Sequence, residues 1–341
     1  MDDLLFLSPD LFPLHFVLVF LFGAALGSFF NVCIYRIPLG QSVNRPHRSF
    51  CPSCGMTIAW YDNIPLWSYV ALGGLCRRCG AGFSSRYFWV ELLTGLLFAA
   101  VFWVHRFTPA TPLFLVLTSF LIIATFTDID HWIIPDSISL GGAAVGVVAA
   151  GLLAAIAAAT GWTAAGQSLY VSIPFTTMGP WGIAANAAVG TVFGYVLLWA
   201  IGVLGTLMFR KEAMGMGDMK LFACIGAFLG WEACILVLAL SSFVGATFGI
   251  SLILAQWIVA KLTASPAPKI VPVVPSGDAP AIPPSPPTPG DPLDAGSRPR
   301  QLHHLPFGPY IAIATYAVIL FYRPMTEWLG RNLLLFDLLP R

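Results

Sequence analysis

Apolar residues run along this chain in long stretches separated by short polar ones. A helix needs about 20 apolar residues to cross the hydrocarbon of a bilayer. The stretches predict eight spanning helices, over 12–34, 88–104, 113–129, 137–158, 184–208, 219–233, 236–260 and 305–322, the sixth being short. Between Ser137 and Phe209 there is no Asp, Glu, Lys or Arg. An uncharged stretch of that length does not suit a soluble fold. The expected fold class is all-α: a polytopic membrane protein with eight transmembrane helices.

Two segments depart from the pattern. Residues 35–87 are polar and turn-rich and hold four of the seven cysteines, so they read as a small domain inserted after the first helix (1–34). Residues 88–262 form the transmembrane core. Residues 263–302, centred on PPSPPTPGDP, predict an extended, mostly disordered linker; a docking site for a Pro-binding partner is the alternative. Residues 303–341 carry the last helix and a tail. The Gly/Ser/Thr-rich stretch 159–183 reads as an outward loop, and no internal repeat is visible.

Composition agrees. The chain is 57% hydrophobic and 10% charged, with a mean hydropathy of +0.81, where a soluble domain carries about 25% charged residues. The net charge is +1 and no basic stripe with interleaved aromatics occurs, which excludes nucleic acid as the expected partner. The start, MDDLLFLSPD, lacks the basic region of a cleaved signal peptide, so the first run is expected to stay as a helix. With the N-terminus outside, thirteen Lys and Arg fall in inside segments and four (Arg106, Arg323, Arg331, Arg341) outside. That bias marks the cytoplasmic face and predicts both termini outside, with residues 35–87 in the cytoplasm.

Cys51-Pro-Ser-Cys54 and Cys76-Arg-Arg-Cys79 are two C-x2-C knuckles with 21 residues between them. Zinc takes four thiolates tetrahedrally from two such turns. Gly55 and Gly80 follow each second cysteine, as a turn at a metal favours. A domain this small, with few large aliphatics, needs a metal or disulfide staple, and a cytoplasmic location disfavours disulfides. Two disulfides or unligated thiols are the alternatives. Four protein ligands leave no open position, so the metal would be structural. Cys33, Cys224 and Cys234 lie in apolar runs and read as packing residues.

The third span runs into Asp128 of Thr127–Asp136, and Asp218 precedes the sixth, so both lie at the inner ends of helices. An acid at membrane depth is costly and is a functional candidate. Two carboxylates brought together share one proton, so one serves as base and the other as acid. The alternatives are structural: Asp136 or Asp218 as a helix cap, and Asp130 with His131 as solvated boundary groups. Gly215 and Gly217 would let backbone approach closely, and Pro135 would bend or end a helix.

Four separated motifs resemble the type IV prepilin peptidase family. They are GSFFNVCIYRIP at 27–38, the double C-x2-C domain followed by RYFWVELLTG at 86–95, TDIDHWIIPD at 127–136, and GMGDMKL at 215–221. The last carries the GxGD element of membrane aspartyl proteases. The resemblance, covering about residues 20 to 260, implies Asp128 and Asp218 as the catalytic pair, with Asp128 chosen over Asp130 because it opens D-x-D-H. It implies an enzyme of the bacterial inner membrane, with the zinc domain and the active site at the cytoplasmic face. Its substrates would be type IV prepilins and type II secretion pseudopilins, whose leader is cut after a Gly. Methylation of the new N-terminus by S-adenosylmethionine would follow, with Glu91 and Gly95 in the region that accompanies that activity. Gly215, Gly217, Asp130, Asp136 and Lys220 are the supporting residues. Glu212, Asp130 and Asp136 are acids that a basic leader would meet. The stretch at 159–183 and the Pro-rich insert depart from the family pattern, and the last helix lies beyond the matched motifs.

The rival readings are a peptidase without methyltransferase activity and an ion-coupled transporter. A transporter predicts repeats and broken helices at mid-bilayer, whereas both acids lie near one face. Neither H-E-x-x-H nor G-x-S-x-G occurs, and the adjacent His303 and His304 suit a polar boundary.

Overall fold

The computed structural model describes residues 11–45, 48–161, 179–210, 214–263 and 306–332. The bulk of the predicted 159–183 loop, the linker from 264 onward, Glu212, His303 and His304 lie outside the described residues. The helices are α1 (Phe12–Arg36), α2 (Trp67–Ala71), α3 (Arg86–His105), α4 (Ala110–His131), α5 (Asp136–Thr160), α6 (Gly182–Phe209), α7 (Met216–Thr263) and α8 (Gly308–Asn332). Among the described residues the only β pairing is two isolated bridges in the cysteine domain.

Among the described residues six helices (α1, α3, α4, α5, α6 and α7) are long and apolar enough to cross a membrane, and the apolar part of α8, Gly308–Tyr322, is shorter. The expected count of eight is not reached as separate long helices, because the sixth and seventh predicted spans fall within α7. That element is broken at Gly230, whose φ of 81° and ψ of 176° are not helical. Twelve residues of straight helix span about 18 Å. Yet a side chain added at Gly194 of α6 would touch both the Phe222 backbone and Cys234 Sγ, on either side of the break. The chain therefore folds back at Gly230. The predicted boundary, near 234–235, lies a turn too late.

Lipid is as apolar as leucine, so helices in a membrane associate through close packing at small residues. Gly23 and Gly27 of α1 rest on Phe98, Gly95, Glu91 and Thr94 of α3. Gly142 and Gly146 of α5 receive Cys224, Ala227 and Phe228 of α7, while Gly190 and Gly226 bring α6 and α7 into backbone contact. Phe98, Phe114, Leu117, Phe222, Ile225 and Ile311 fill the space between. The outer faces stay apolar and exposed, as at Leu21, Leu152 and Leu204. These residues belong to a unit formed by the chain up to Val244 together with Pro306 onward. In the other unit, Gly245–Leu305, the described residues to Thr263 are helical with mostly exposed side chains.

Candidate active site and cysteine cluster

The two knuckles fold alike. Cys51 N–H donates to Met56 O at 2.9 Å and Gly55 N–H to Cys51 O at 2.8 Å; Cys76 N–H donates to Ala81 O at 2.8 Å and Gly80 N–H to Cys76 O at 2.9 Å. Gly55 and Gly80 take φ of 68° and 70°, which a side chain would oppose. All four cysteines are free thiols, and their sulfurs lie within 4.8 Å of one another. Zinc–sulfur bonds of about 2.3 Å give a tetrahedron with edges of about 3.8 Å. Cys51 Sγ and Cys79 Sγ are 3.8 Å apart, so the donor set fits zinc. Backbone N–H groups, chiefly that of Cys54, hold the Cys51 thiol down at about 6, which favours the thiolate a metal needs. Arg77 of the second knuckle grips Asp62 through Nε (3.0 and 2.9 Å) and Nη2 (2.7 Å). This fork holds the Asp62 carboxyl below its ordinary range.

The two acids implied as a pair lie at the same end of the bundle. Asp128 lies in the last turn of α4 and is 8% exposed. Asp218 lies in the first turn of α7, close enough for the Asp128 charge to act on it. Three links fix this end of the bundle. Asp128 Oδ2 accepts the Gly308 N–H at 3.0 Å, from the first residue of α8. Lys220 Nζ meets Asp136 Oδ1 at 2.6 Å, joining the starts of α7 and α5. Asp130 pairs with Arg86 at the start of α3. Gly217 brings α7 against Ile134 of the α4–α5 connection, while Gly215 faces only Asp218.

Sequence reasoning missed Gly308. A Cβ there would lie 2.5 Å from Asp128 Oδ2, so only glycine lets the amide approach. The signal available was a Gly-Pro pair opening the last apolar run. Several expectations change. Asp136 does not cap α5: it is the first helical residue, Pro135 precedes it without a side-chain cap, and its carboxylate meets Lys220. Asp130 and Asp136 pair with Arg86 and Lys220. Gly95 is not among the residues that line the cavity beside Glu91. It packs on the Phe20 ring of α1, where a Cβ would sit at 2.8 Å.

Glu91 does face open space. A cavity of about 560 Å³ lies between the cysteine domain and the adjoining ends of α1 and α3, lined by Ser28, Asn31, Tyr35, Phe50, Tyr87 and Glu91 among others. Leu66 N–H donates to Glu91 Oε2 at 2.8 Å.

Residues 21–105 match the family described as bacterial peptidase A24 N-terminal domain, and residues 115–250 match the type IV leader peptidase family. A prepilin leader peptidase/N-methyltransferase of Myxococcus xanthus is 40% identical over 276 residues, 79% of this chain and 71% of that protein. One of Aeromonas hydrophila is 33% identical over 97% of this chain and 99% of its own length. A Pseudomonas aeruginosa protein of the same description is 35% identical over 70% of this chain and 81% of that one. No solved structure matches.

Proposed function

Because the chain belongs to the type IV leader peptidase family, we propose that it cuts the leader from prepilins and pseudopilins at the cytoplasmic face of the inner membrane and then N-methylates the new terminus. It is an enzyme of the peptidase A24 class, and its relatives are described as both peptidase and N-methyltransferase.

Asp128 and Asp218 carry the cleavage. The observation that supports this most is their placement at one end of the bundle on separate helices, with Gly308 N–H on one of them. Two acids at close range hold one proton between them. The ionised carboxylate takes a proton from water, and the protonated one donates to the scissile carbonyl oxygen as the water oxygen attacks the carbon. The amide of Gly308 occupies Oδ2 of Asp128 and leaves Oδ1 for the water. A site at the ends of α4 and α7 takes water from the cytoplasm without crossing hydrocarbon, while the apolar part of the substrate helix lies against lipid. The termini face outward in this reading, and residues 35–87 face inward.

Cys51, Cys54, Cys76 and Cys79 hold a structural zinc that closes the small domain. S-adenosylmethionine supplies an electrophilic methyl group for the second reaction. Co-expression with a prepilin tests the peptidase. Asp128→Asn and Asp218→Asn each lower cleavage by at least about a hundredfold while the protein remains inserted, and full processing by either variant rejects the pair.

A further inference from the structure

We propose that residues 60–71 of the cysteine domain are a membrane anchor, seated in the headgroup–acyl boundary of the adjoining leaflet with Trp60, Trp67 and Val70 in lipid. The stretch holds a 3-10 turn (Trp60–Asn63) and α2. Its faces are inverted for a domain in water. Ser68 is 8% exposed, whereas Trp67 and Val70, one turn apart on the other face of α2, are each 67% exposed and Trp60 is 77% exposed. Single apolar residues are ordinary on a soluble surface, but a cluster with two tryptophans marks an interaction site. Tryptophan is also the residue that collects at membrane boundaries. The opposite side of the stretch is already used: Tyr61, Ile64, Ser68 and Tyr69 line the cavity, which Trp60, Trp67 and Val70 do not.

The depth follows from α3. Its 20 residues measure about 30 Å, no more than the hydrocarbon layer requires. Arg86 and His105 therefore mark its two boundaries, and Glu91 lies about 7 Å inside one of them. Two contacts hold the stretch beside these first turns. Leu66 N–H donates to Glu91 Oε2 at 2.8 Å, and the Tyr69 ring lies 5.6 Å from that of Phe88. Trp89, Leu93 and Leu96 of α3 are exposed as well, so the lipid-facing surface of α3 begins at the level where the anchor sits.

The backbone is prepared for a dry setting. Irregular chain at membrane depth must satisfy its own polar groups. Ser68 Oγ accepts the Ile64 N–H at 3.0 Å and donates to Tyr61 O at 3.1 Å, and Pro65 has no N–H to satisfy. Leu66 takes φ of 62° and ψ of −50°, and Trp67 N–H closes on Pro65 O at 2.6 Å. This tight turn is strained, and it aims the Leu66 amide at Glu91 rather than at water. The stretch holds one charged residue, Asp62, and Arg77 neutralises it. The anchor rests on the membrane reading of α3 and on neither chemical activity.

The test uses the full chain in vesicles of phosphatidylethanolamine and phosphatidylglycerol. Benzoylphenylalanine, a photoreactive residue, replaces Trp67, Val70 or, as a reference on the exposed apolar face of α5, Leu152. Irradiation should give lipid adducts at 67 and 70 as at 152, read by peptide mass. Adducts at 152 alone overturn the anchor. Cross-links from 67 and 70 to a second copy or to added prepilin, in place of lipid, assign the face to a protein and overturn it too. Where a photoreactive variant does not insert, Trp67→Phe is a milder change at an exposed site. Brominated lipid should quench the emission of the unaltered chain more strongly than that of Trp67→Phe, and equal quenching overturns the proposal. These readouts require neither cleavage nor methylation, so a failure of the enzymatic reading leaves them intact.

Discussion

Gly308 shows how much one atom decides at the residue scale. Its amide hydrogen bond to Asp128 Oδ2 spans 180 residues of sequence. A Gly308→Ala methyl would push that carboxyl aside. Misplacement of a reacting group by about 1 Å costs on the order of a hundredfold in rate. Gly308→Ala should lower cleavage by about that factor, with insertion and thermal unfolding nearly unchanged, as an in-membrane cleavage time course would measure. Asp62 offers a pH test of the same scale. Its carboxyl is held below the ordinary 3.8 by Arg77, so its contribution is complete above that pH and fades as the pH falls further, through the lowered folded-state value. The difference in proteolytic resistance between unaltered protein and Asp62→Asn should be constant near neutrality and vanish in that acid range. The four-cysteine cluster was legible in the sequence because its spacing carries the chemistry, whereas the two aspartates were singled out by the family resemblance. Gly308, the Arg86–Asp130 pair and the packing role of Gly95 were not legible, since each depends on a neighbour distant in the chain.

At the scale of elements, the break in α7 and the cross-link at its start matter most. Glycines within helices usually signal close packing, and the run from 219 to 260 holds Gly226, Gly230, Gly245 and Gly249. Nothing in that pattern singles out Gly230, so its reversal was not readable even though two spans were. A Cβ at Gly230 would overlap the Asn186 side chain, and its φ is positive. Gly230→Ala should therefore reduce inserted protein severely, on the order of a 3 kcal/mol defect, read as loss of membrane-fraction yield. The Lys220–Asp136 pair is milder. Its side chains are 21% and 64% exposed, and pairs so open contribute about 0.2–1 kcal/mol. Lys220→Ala should shift unfolding only slightly and lower cleavage a few-fold, because the pair aligns the starts of α5 and α7 more than it stabilises them. The boundaries of α5 and α6 fall within two residues of the sequence expectation, because Pro135 and the charged Arg210 end the apolar runs sharply.

Across the whole molecule, α3 is shared property. Its first two turns supply Arg86 to the aspartate end and Glu91 to the cavity. Stripping zinc should unfold the knuckles, since structural zinc sites carry folding energy outright. A strong chelator, or Cys51→Ser, should abolish methylation first and leave cleavage measurable, with metal content by emission spectroscopy as the control. The all-α membrane class was legible because hydrophobicity acts locally. The convergence of ends was not, because it depends on which helices pack.

The bond from α8 to Asp128 sets a lower limit on a working enzyme. A fragment trimmed to the recognisable motifs, ending near residue 250, retains both acids and every cysteine ligand, yet leaves one carboxylate oxygen without its amide. Such a piece would be a silent scaffold. Supplying residues 306–341 as a separate polypeptide should switch it on, turning the last helix into a detachable subunit.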